Sequence, residues 1–400
     1  MHFASTGLKV AGYLLAVLYL IVGFLLGARH DYIAYGWQWS DVLMGLDPWI
    51  QGGVPTTNAY GPFHNAFALL YSWHVLLPKM IFIGAWLAVS FYAALSIQWN
   101  KNERPFVLMF FLLNPFFWIE FVSWGHHDAI VAFLVFFAAV EIQKSRQIFS
   151  GILIGLAILL KFFPIFLIPF FWIELRRNQI IWNLRFLMSC FITLVVGYEI
   201  AYLYWGKSVF YPLLFASNRP PAMLSIFNFF QKRIFDFMPF LPVDQVMAIL
   251  SFLSKTLMSC GAGFVLFRYL NGKVSRNRAI AAMALVLFLF FQVGHPQFHS
   301  SVFFILPLIL AEIPSQKERL NVLKPFFFYV GLLIAFQVSL VVFGQYSKTI
   351  SYLVQWIAIP YLFIGVWTIN CLLNPVSEDG RGKGVCIMGS CSQQFLIRSV

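Results

Sequence analysis

Hydrophobic residues run in long blocks along nearly the whole chain, and short polar clusters separate the blocks. A helix needs about 20 mostly apolar residues to cross the hydrocarbon core of a membrane. The pattern therefore predicts an all-α, polytopic membrane protein without a large soluble domain. We expect its apolar segments near residues 8–27, 77–98, 106–120, 128–142, 149–173, 184–204, 246–268, 279–293, 300–312, 325–343 and 351–373.

The basic clusters between these segments set the predicted orientation. With the N-terminus in the cytosol, most of the 27 lysines and arginines lie on the cytosolic side, as the positive-inside rule requires. Segment 149–173 has a basic cluster at each end, so a single crossing would export one of them. Two half-helices that meet at Lys161–Phe162–Phe163–Pro164 remove this conflict, and we predict a re-entrant hairpin here.

Two further pairs of segments are short, namely 106–120 with 128–142 and 279–293 with 300–312. At about 1.5 Å per residue, each segment falls short of a hydrocarbon core of about 30 Å. Their polar apices, 123–128 and 294–299, are therefore predicted within the membrane depth, where polar backbone must be buried by protein or line a cavity. We expect the three apices to share an outward-facing cavity. The prediction totals about 12 transmembrane elements, with both termini cytosolic.

Composition narrows the possible functions. Charged residues make up 10% of the chain and the mean hydropathy is +0.80, whereas soluble proteins carry about 25% charged residues. These values exclude a soluble enzyme with one anchor. A net charge of +12 would suit a nucleic-acid partner, but the cations lie in short clusters and not on one basic surface. We therefore expect membrane lipids and no nucleic acid among the partners.

The chain is predicted to form one membrane domain over 1–373, beginning with an uncleaved helix, and a disordered cytosolic tail over 374–400. The five cysteines lie within apolar runs or at or after the last one, so we predict no disulfide. Residues 28–76 form a long first external loop. Within it, Trp37 and Trp39 among few charges favour a helix over 32–46 that lies in the membrane interface.

Histidines gather on the predicted outer side, since only His2 among the eight is cytosolic. Ionisable groups at membrane depth are costly and are usually functional. Lys161 is either a snorkelling lysine or a phosphate ligand in a cavity. His126, His127 and Asp128 have the right chemistry for a metal site, but adjacent residues rarely chelate one ion, so we expect no metal and no cofactor.

The first loop contains three motifs, Asp31-Tyr32-x-x-Tyr35, Gly45-x-Asp47-Pro48-Trp49 and Tyr60-Gly61-Pro62. They resemble the pattern D-[FLY]-x-x-Y, G-x-D-P-Y and Y-x-P of the GT-C superfamily of membrane glycosyltransferases. More narrowly, the chain is similar to the polyprenyl-phosphate-mannose-dependent α-1,2-mannosyltransferase family. Further matches follow in the family's order over roughly residues 10–310, with Trp49 in place of the usual Tyr and His126 in place of the commoner Gln. The further matching motifs are Trp124-Gly125-His126-His127-Asp128, residues 151–164 and residues 295–299.

The resemblance implies a GT-C-like fold and an inverting transfer of a sugar, mannose by resemblance, from a polyprenyl-phosphate donor to a glycolipid or glycan acceptor. The position that matches the family's general base is Asp31, whose other interpretation is a cap of the interfacial helix. Lys161 and His299 are the candidates for binding the donor phosphate. The remaining candidates for donor or acceptor binding are His126, His127, Asp128, His295, Asp47 and Tyr60.

We expect a monomer in the plasma membrane with an outward-facing site; the endoplasmic reticulum is the alternative location. Two other functions stay open from the sequence. A transporter or flippase for lipid-linked saccharides would share the hydropathy and the broken helices, but it would predict inverted repeats and a path that opens to the cytosol. A lipid-linked polysaccharide polymerase or ligase would use external Arg and His without the Asp31 pattern.

Overall fold

The computed structural model of the chain describes residues 2–55, 59–99, 103–176, 179–343 and 354–374. It is 78% helical, which confirms the predicted all-α class. Among the described residues, strands form three two-stranded pairs only. The chain divides into two compact units, of which the first holds 2–168 and 183–218 and the second 169–182 and 219–374 among the described residues. The single domain expected over 1–373 stays a prediction, and the tail beyond Asn374 lies outside the described residues.

The first unit begins with a long apolar helix, continues with short elements of the first loop and then packs a group of longer helices. A π-helix, Trp118–Ser123, interrupts the α-helical order. Its α-helices are α1 (His2–Leu25), α2 (Asp31–Leu43), α3 (Pro62–Asn65), α4 (Phe67–Trp73), α5 (Leu77–Leu95), α6 (Arg104–Leu112), α7 (Pro115–Phe117), α8 (Asp128–Gln143), α9 (Gln147–Leu160), α11 (Leu184–Trp205) and α12 (Tyr211–Asn218). The hairpin of β1 (Ile50–Gln51) and β2 (Val54–Pro55) is antiparallel.

Helix α9 packs directly on α11 through two glycines one turn apart. A Cβ at Gly151 would lie 2.3 Å from the carbonyl oxygen of Phe186, and a Cβ at Gly155 would lie 3.2 Å from that of Cys190. Small residues at this spacing let two membrane helices approach through their backbones. The glycines of segment 151–164 therefore fix the position of α9, and with it the position of Lys161 directly after its end.

The second unit begins with α10 (Ile168–Trp172), whose first residue closes the first unit, and the antiparallel hairpin β3 (Ile173–Arg176) and β4 (Gln179–Trp182). Its parallel pair joins β5 (Ala222–Met223) to β6 (Val293–Gly294). The remaining α-helices are α13 (Ile226–Phe237), α14 (Val243–Leu270), α15 (Arg276–Phe290), α16 (Ser300–Glu312), α17 (Gln316–Phe343) and α18 (Ala358–Leu373).

Several helices are apolar enough to lie in a membrane. Five segments of the described chain are also long enough to cross it: Leu77–Leu95, Arg104–Ser123, Leu184–Ala216, Val243–Leu270 and Gln316–Val342. Shorter apolar helices span Lys9–Leu25, Gln147–Leu160, Phe163–Trp172 and Ala358–Leu373. The protein is therefore membrane-embedded, while the predicted count of about 12 transmembrane elements and the predicted orientation stay predictions.

The helical breaks fall at the predicted apices. Helix α9 ends at Leu160, Lys161 is extended, and a 3₁₀-helix, Phe163–Leu167, follows. The other two apices lie between the π-helix and α8 and between α15 and α16. The helix predicted over 32–46 is present as α2, and its interfacial placement stays a prediction. Of its two tryptophans, Trp37 is exposed, whereas Trp39 is fully buried and donates its indole N–H to the carbonyl of His64.

Candidate functional site

Two tyrosines of the first loop anchor the start of α2. The side chains of Tyr32 and Tyr35 are each only 1% exposed. The Tyr32 hydroxyl donates to the carbonyl of Val75 over 2.8 Å and accepts the backbone N–H of Lys79 over 3.2 Å. Asp31, the first residue of the helix, keeps a carboxylate that is 45% exposed. The motif Asp31-Tyr32-x-x-Tyr35 thus presents an accessible carboxylate at the start of a helix that two buried tyrosines hold in place.

The interpretation of Asp31 as a helix cap is wrong. His30 occupies the N-cap position with a left-handed φ of 48°, and the helix start has no side-chain capping hydrogen bond. The Asp31 carboxylate instead faces His126, whose Nε2 lies 3.5 Å from Oδ2 of Asp31. The carboxylate is therefore available for chemistry, and its nearest described charge partner comes from a distant part of the chain.

The turn that carries His126 depends on a glycine and a buried lysine. Gly125 has a φ of 73°, and a Cβ there would come within 3.1 Å of side-chain atoms of Lys79 and Tyr32. Lys79 is fully buried and donates to the carbonyls of Gly27 and Ser123 over 2.8 and 3.1 Å. These bonds hold the end of the π-helix against the residues that precede α2. The lysine thereby keeps His126 beside Asp31.

A buried glutamate lies on the other side of His126. Glu120 is 0% exposed, and its Oε2 is hydrogen-bonded to Nδ1 of His126. Asp31, His126 and Glu120 form a carboxylate–imidazole–carboxylate chain. Burial by itself lowers the pKa of His126, but the charge and hydrogen bond of Glu120 and the charges of Asp31 and Asp128 together raise that pKa above the usual value. The arrangement favours the imidazolium form.

The predicted cation Lys161 is held in the same unit by an acid. Its ammonium lies 2.6 Å from Oδ1 of Asp128, the first residue of α8. Both side chains are buried, so Lys161 is not a snorkelling lysine. Because Asp128 follows His126 and His127 in one turn, the structure brings Asp31, His126, Asp128 and Lys161 together.

The motif Tyr60-Gly61-Pro62 packs against the backbone directly before Lys161. The N–H of Gly61 donates to the carbonyl of Leu160 over 3.1 Å. A Cβ at Gly61 would lie 2.3 Å from the carbonyl oxygen of Leu159, closer than any side chain can come. Only glycine fits this approach, which places Tyr60 near the broken end of α9.

We expect Gly61→Ala to displace this loop. The clash is with backbone, so it cannot be relieved by a side-chain rotation; overpacking of this kind costs about 1–3 kcal/mol of stability. A misplacement near 1 Å can lower turnover about 100-fold. The measurement is the thermal midpoint together with glycosyl transfer. Gly84→Ala is the matched control, because a Cβ at Gly84 meets no atom within 4 Å. Equal activity of both variants would show that this contact does not position the site.

Aromatic rings pack tightly around the turn. The ring of His127 lies 4.5 Å from that of Tyr60, 4.9 Å from that of Tyr35 and 5.0 Å from that of His64, measured between centroids. The ring nitrogens of His64 and His127 are fully buried and make no hydrogen bond within the described structure. The Oδ2 of Asp128 is unpaired in the same sense. An unpaired buried polar atom lowers the stability of the fold. The cluster therefore serves either the packing of its rings or the binding of a ligand.

Asp47 shapes the loop that carries Tyr60. Its Oδ1 accepts the backbone N–H of Trp49 over 3.0 Å, and the indole of Trp49 donates to the carbonyl of Tyr60 over 3.1 Å. The Trp49 ring is fully buried against Trp205. Asp47 therefore stabilises the turn at residues 47–49. Its direct binding of donor or acceptor stays a prediction.

His295 and His299 lie in the second unit. Nε2 of His295 is 3.0 Å from the guanidinium of Arg219. His299 is fully buried, and its Nδ1 and Nε2 face the hydroxyls of Tyr329 and Tyr361 over 3.1 and 2.9 Å. In this geometry both ring nitrogens of His299 are already occupied. The binding of donor phosphate by His299 would require a rearrangement and stays a prediction, as does the role of His295.

The residues weighed as a metal site, His126, His127 and Asp128, have other partners in the structure. His126 is engaged by two carboxylates, and Asp128 is paired with Lys161. In the part of the chain that the structure describes, no group of three or more His, Cys, Asp or Glu side chains is arranged to hold a metal ion.

Sequence reasoning missed Glu120, His64 and Lys79. Glu120 ends a predicted apolar segment, 106–120, and an ionisable residue in such a run is a functional candidate by its cost alone. That signal was present in the sequence. Lys79 carried the same signal as the third residue of the predicted segment 77–98, whereas His64 lies in the predicted first external loop, where polar residues are expected.

The chain was compared with known protein families and with curated proteins. No curated protein sequence matches the chain at a significant level. The family model of glycosyltransferase family 87 matches residues 58–298, more than half of the chain. The matched region holds the π-helix, the 123–128 turn, Lys161 and part of the late turn, whereas Asp31 precedes it. On this match, the chain belongs to glycosyltransferase family 87.

Proposed function

We propose that this membrane glycosyltransferase moves mannose from a polyprenyl-phosphate donor to a glycolipid or glycan acceptor at the outer face of the membrane, with inversion at the anomeric carbon. The observation that carries the proposal is the half-exposed carboxylate of Asp31, which faces the buried His126 at 3.5 Å. A carboxylate that is both accessible and fixed by a neighbour suits a general base.

Asp31 accepts the proton of the acceptor hydroxyl as its oxygen attacks the anomeric carbon. The new bond forms between that oxygen and the anomeric carbon, while the bond from the same carbon to the phosphate oxygen breaks. The bonding electron pair leaves with the phosphate. One displacement of this kind inverts the anomeric configuration.

Lys161 is the residue that we assign to the departing phosphate. The polyprenyl phosphate gains negative charge as it leaves, and a fixed cation in a site sheltered from water stabilises that charge most effectively. The ammonium carries three N–H donors, and Asp128 accepts a hydrogen bond from it. The pair holds the cation at the broken end of α9. This scheme needs no metal, and we expect EDTA to leave the rate unchanged.

A panel of donors tests the proposal. The purified protein in lipid nanodiscs is supplied with glycolipid acceptors and with polyprenyl-phosphate mannose, glucose or arabinose, or with nucleotide sugars. We expect product from polyprenyl-phosphate mannose alone. Product from a nucleotide sugar would show that the donor is not a polyprenyl-phosphate sugar. Product from polyprenyl-phosphate glucose or arabinose would show that the transferred sugar is not mannose. Movement of the labelled lipid between leaflets of liposomes without product would favour the flippase.

A further inference from the structure

Glu120 has no task in the mechanism described so far. It is a wholly buried carboxylate in the apolar run Arg104–Ser123, where an ionised group is expensive unless it is paired. Its described side-chain partner is His126, six residues further along the chain. Burying such a pair costs free energy of folding, and the geometry around the pair indicates what it does.

The π-helix sets the spacing of this pair. Trp124 donates its backbone N–H to the carbonyl of Ile119, and His126 donates its backbone N–H to the carbonyl of Glu120, both over 2.9 Å. The wider turn joins Glu120 to His126 through the main chain as well as through the side chains. Single π-turns of this kind are frequently found at functional sites. The imidazole is therefore fixed in position and in tilt, with its Nε2 directed at Asp31.

We propose that Glu120 is a positioning residue that keeps His126 as an imidazolium, whose Nε2–H holds the Asp31 carboxylate ionised and aimed at the acceptor hydroxyl. The inference rests on the proposed role of Asp31 as the general base. It extends that role to a residue that does not touch the substrate and acts only through His126.

The imidazolium form suits the geometry. Between two ionised carboxylates, a neutral imidazole with its one N–H donor could serve only one of them, whereas the charged ring donates from both nitrogens. The charged ring of His126 is favoured by three carboxylates, those of Glu120 in the π-helix, Asp31 in α2 and Asp128 in α8. His30 and His127 oppose it when they are charged. The ammonium of Lys79 from α5 is directed at main-chain carbonyls of Gly27 and Ser123.

Glu120→Gln removes the charge and keeps the shape. Without the carboxylate the imidazolium loses its proton more easily, so the alkaline limb of the kcat profile moves to lower pH. We expect a shift of about one to two pH units. The KM for donor and acceptor should stay within about twofold, because neither substrate touches Glu120. A purely structural loss would lower the amount of active enzyme and leave the limb where it was.

Two variants control this experiment. Glu120→Asp keeps the charge and should return the alkaline limb to within about 0.5 pH units of the native position, even if the rate stays lower. Glu141→Gln neutralises another buried acid of the same unit, which pairs with Lys144 and Arg146. Its profile should match that of the native protein. Equal alkaline limbs in Glu120→Gln and the native protein would overturn the proposal.

A second measurement needs neither activity nor a folded Glu120→Gln. Nitrogen-15 spectra of the native protein with labelled histidine, compared with those of His126→Gln, report the protonation of His126 directly. We expect an imidazolium signal at pH 7.5; a neutral ring would overturn the proposal. Activity of Asp31→Asn tests the base separately, so failure of the proposed function and failure of the Glu120–His126 pair give different results.

Discussion

Replacement of Asp31 by Asn is expected to lower glycosyl transfer about 10²- to 10⁴-fold, the usual contribution of a general base. The amide keeps the size of the side chain but cannot accept the acceptor's proton. Since the carboxylate is 45% exposed and the tyrosines next to it hold the helix, folding should be unaffected. Initial rates with saturating donor and acceptor, together with the thermal midpoint, measure both effects.

Asp41→Asn is the matched control for this variant. Asp41 lies on the same helix, α2, and its described side-chain bond is an exposed one to Gln51 over 3.1 Å. We expect near-native transfer from it. If Asp31→Asn kept most of its activity, the base would have to be sought at Asp128 or Asp47.

Replacement of Lys161 by Met should lower the use of the donor about 10²- to 10³-fold, the range found when one stabilising group is removed from a developing anion. The single variant also leaves the buried carboxylate of Asp128 without its cation. Breaking a buried ion pair costs about 3–5 kcal/mol of stability. Loss of activity could then reflect loss of fold. The double variant Lys161→Met with Asp128→Asn removes both charges and should be the more stable of the two.

The kinetics of that double variant, compared with those of Asp128→Asn alone, test whether Lys161 acts on the phosphate. We expect the double variant to fold and still to be slow with the lipid-phosphate donor. Lys144→Met serves as the control, because Lys144 pairs with Glu141 and has no part in the proposed site. Native kinetics in a folded double variant would remove Lys161 from the phosphate site.

The helical class and the broken helices followed from local information. Length of apolar run, charge clusters and Pro164 are all readable within a few residues, and they placed the break at Lys161 where α9 in fact ends. The pairing of Asp31 with His126 was not readable in this way, because the two residues are far apart in sequence and no local pattern encodes a side-chain contact. The resemblance to the glycosyltransferase family singled out both residues, and the hydrophobic periodicity did not.

Two residues show where sequence reasoning stops. Trp39 was expected at a membrane interface, since an aromatic in an external loop suits that place, but packing against the elements of its own unit buries it completely. The phosphate-binding role of His299 stays a prediction, but no sequence pattern indicated that its two nitrogens face Tyr329 and Tyr361. In each case the partner comes from a part of the chain whose position only the fold determines.

The stereochemistry of the product tests the role of Asp31 in an inverting transfer. The native protein and Asp31→Asn are each incubated with polyprenyl-phosphate mannose carrying carbon-13 at the anomeric position and with a glycolipid acceptor, and the product is followed by NMR. We expect a glycoside of inverted anomeric configuration from the native protein and almost none from the variant. A product of retained configuration, or equal product from both proteins, would contradict it.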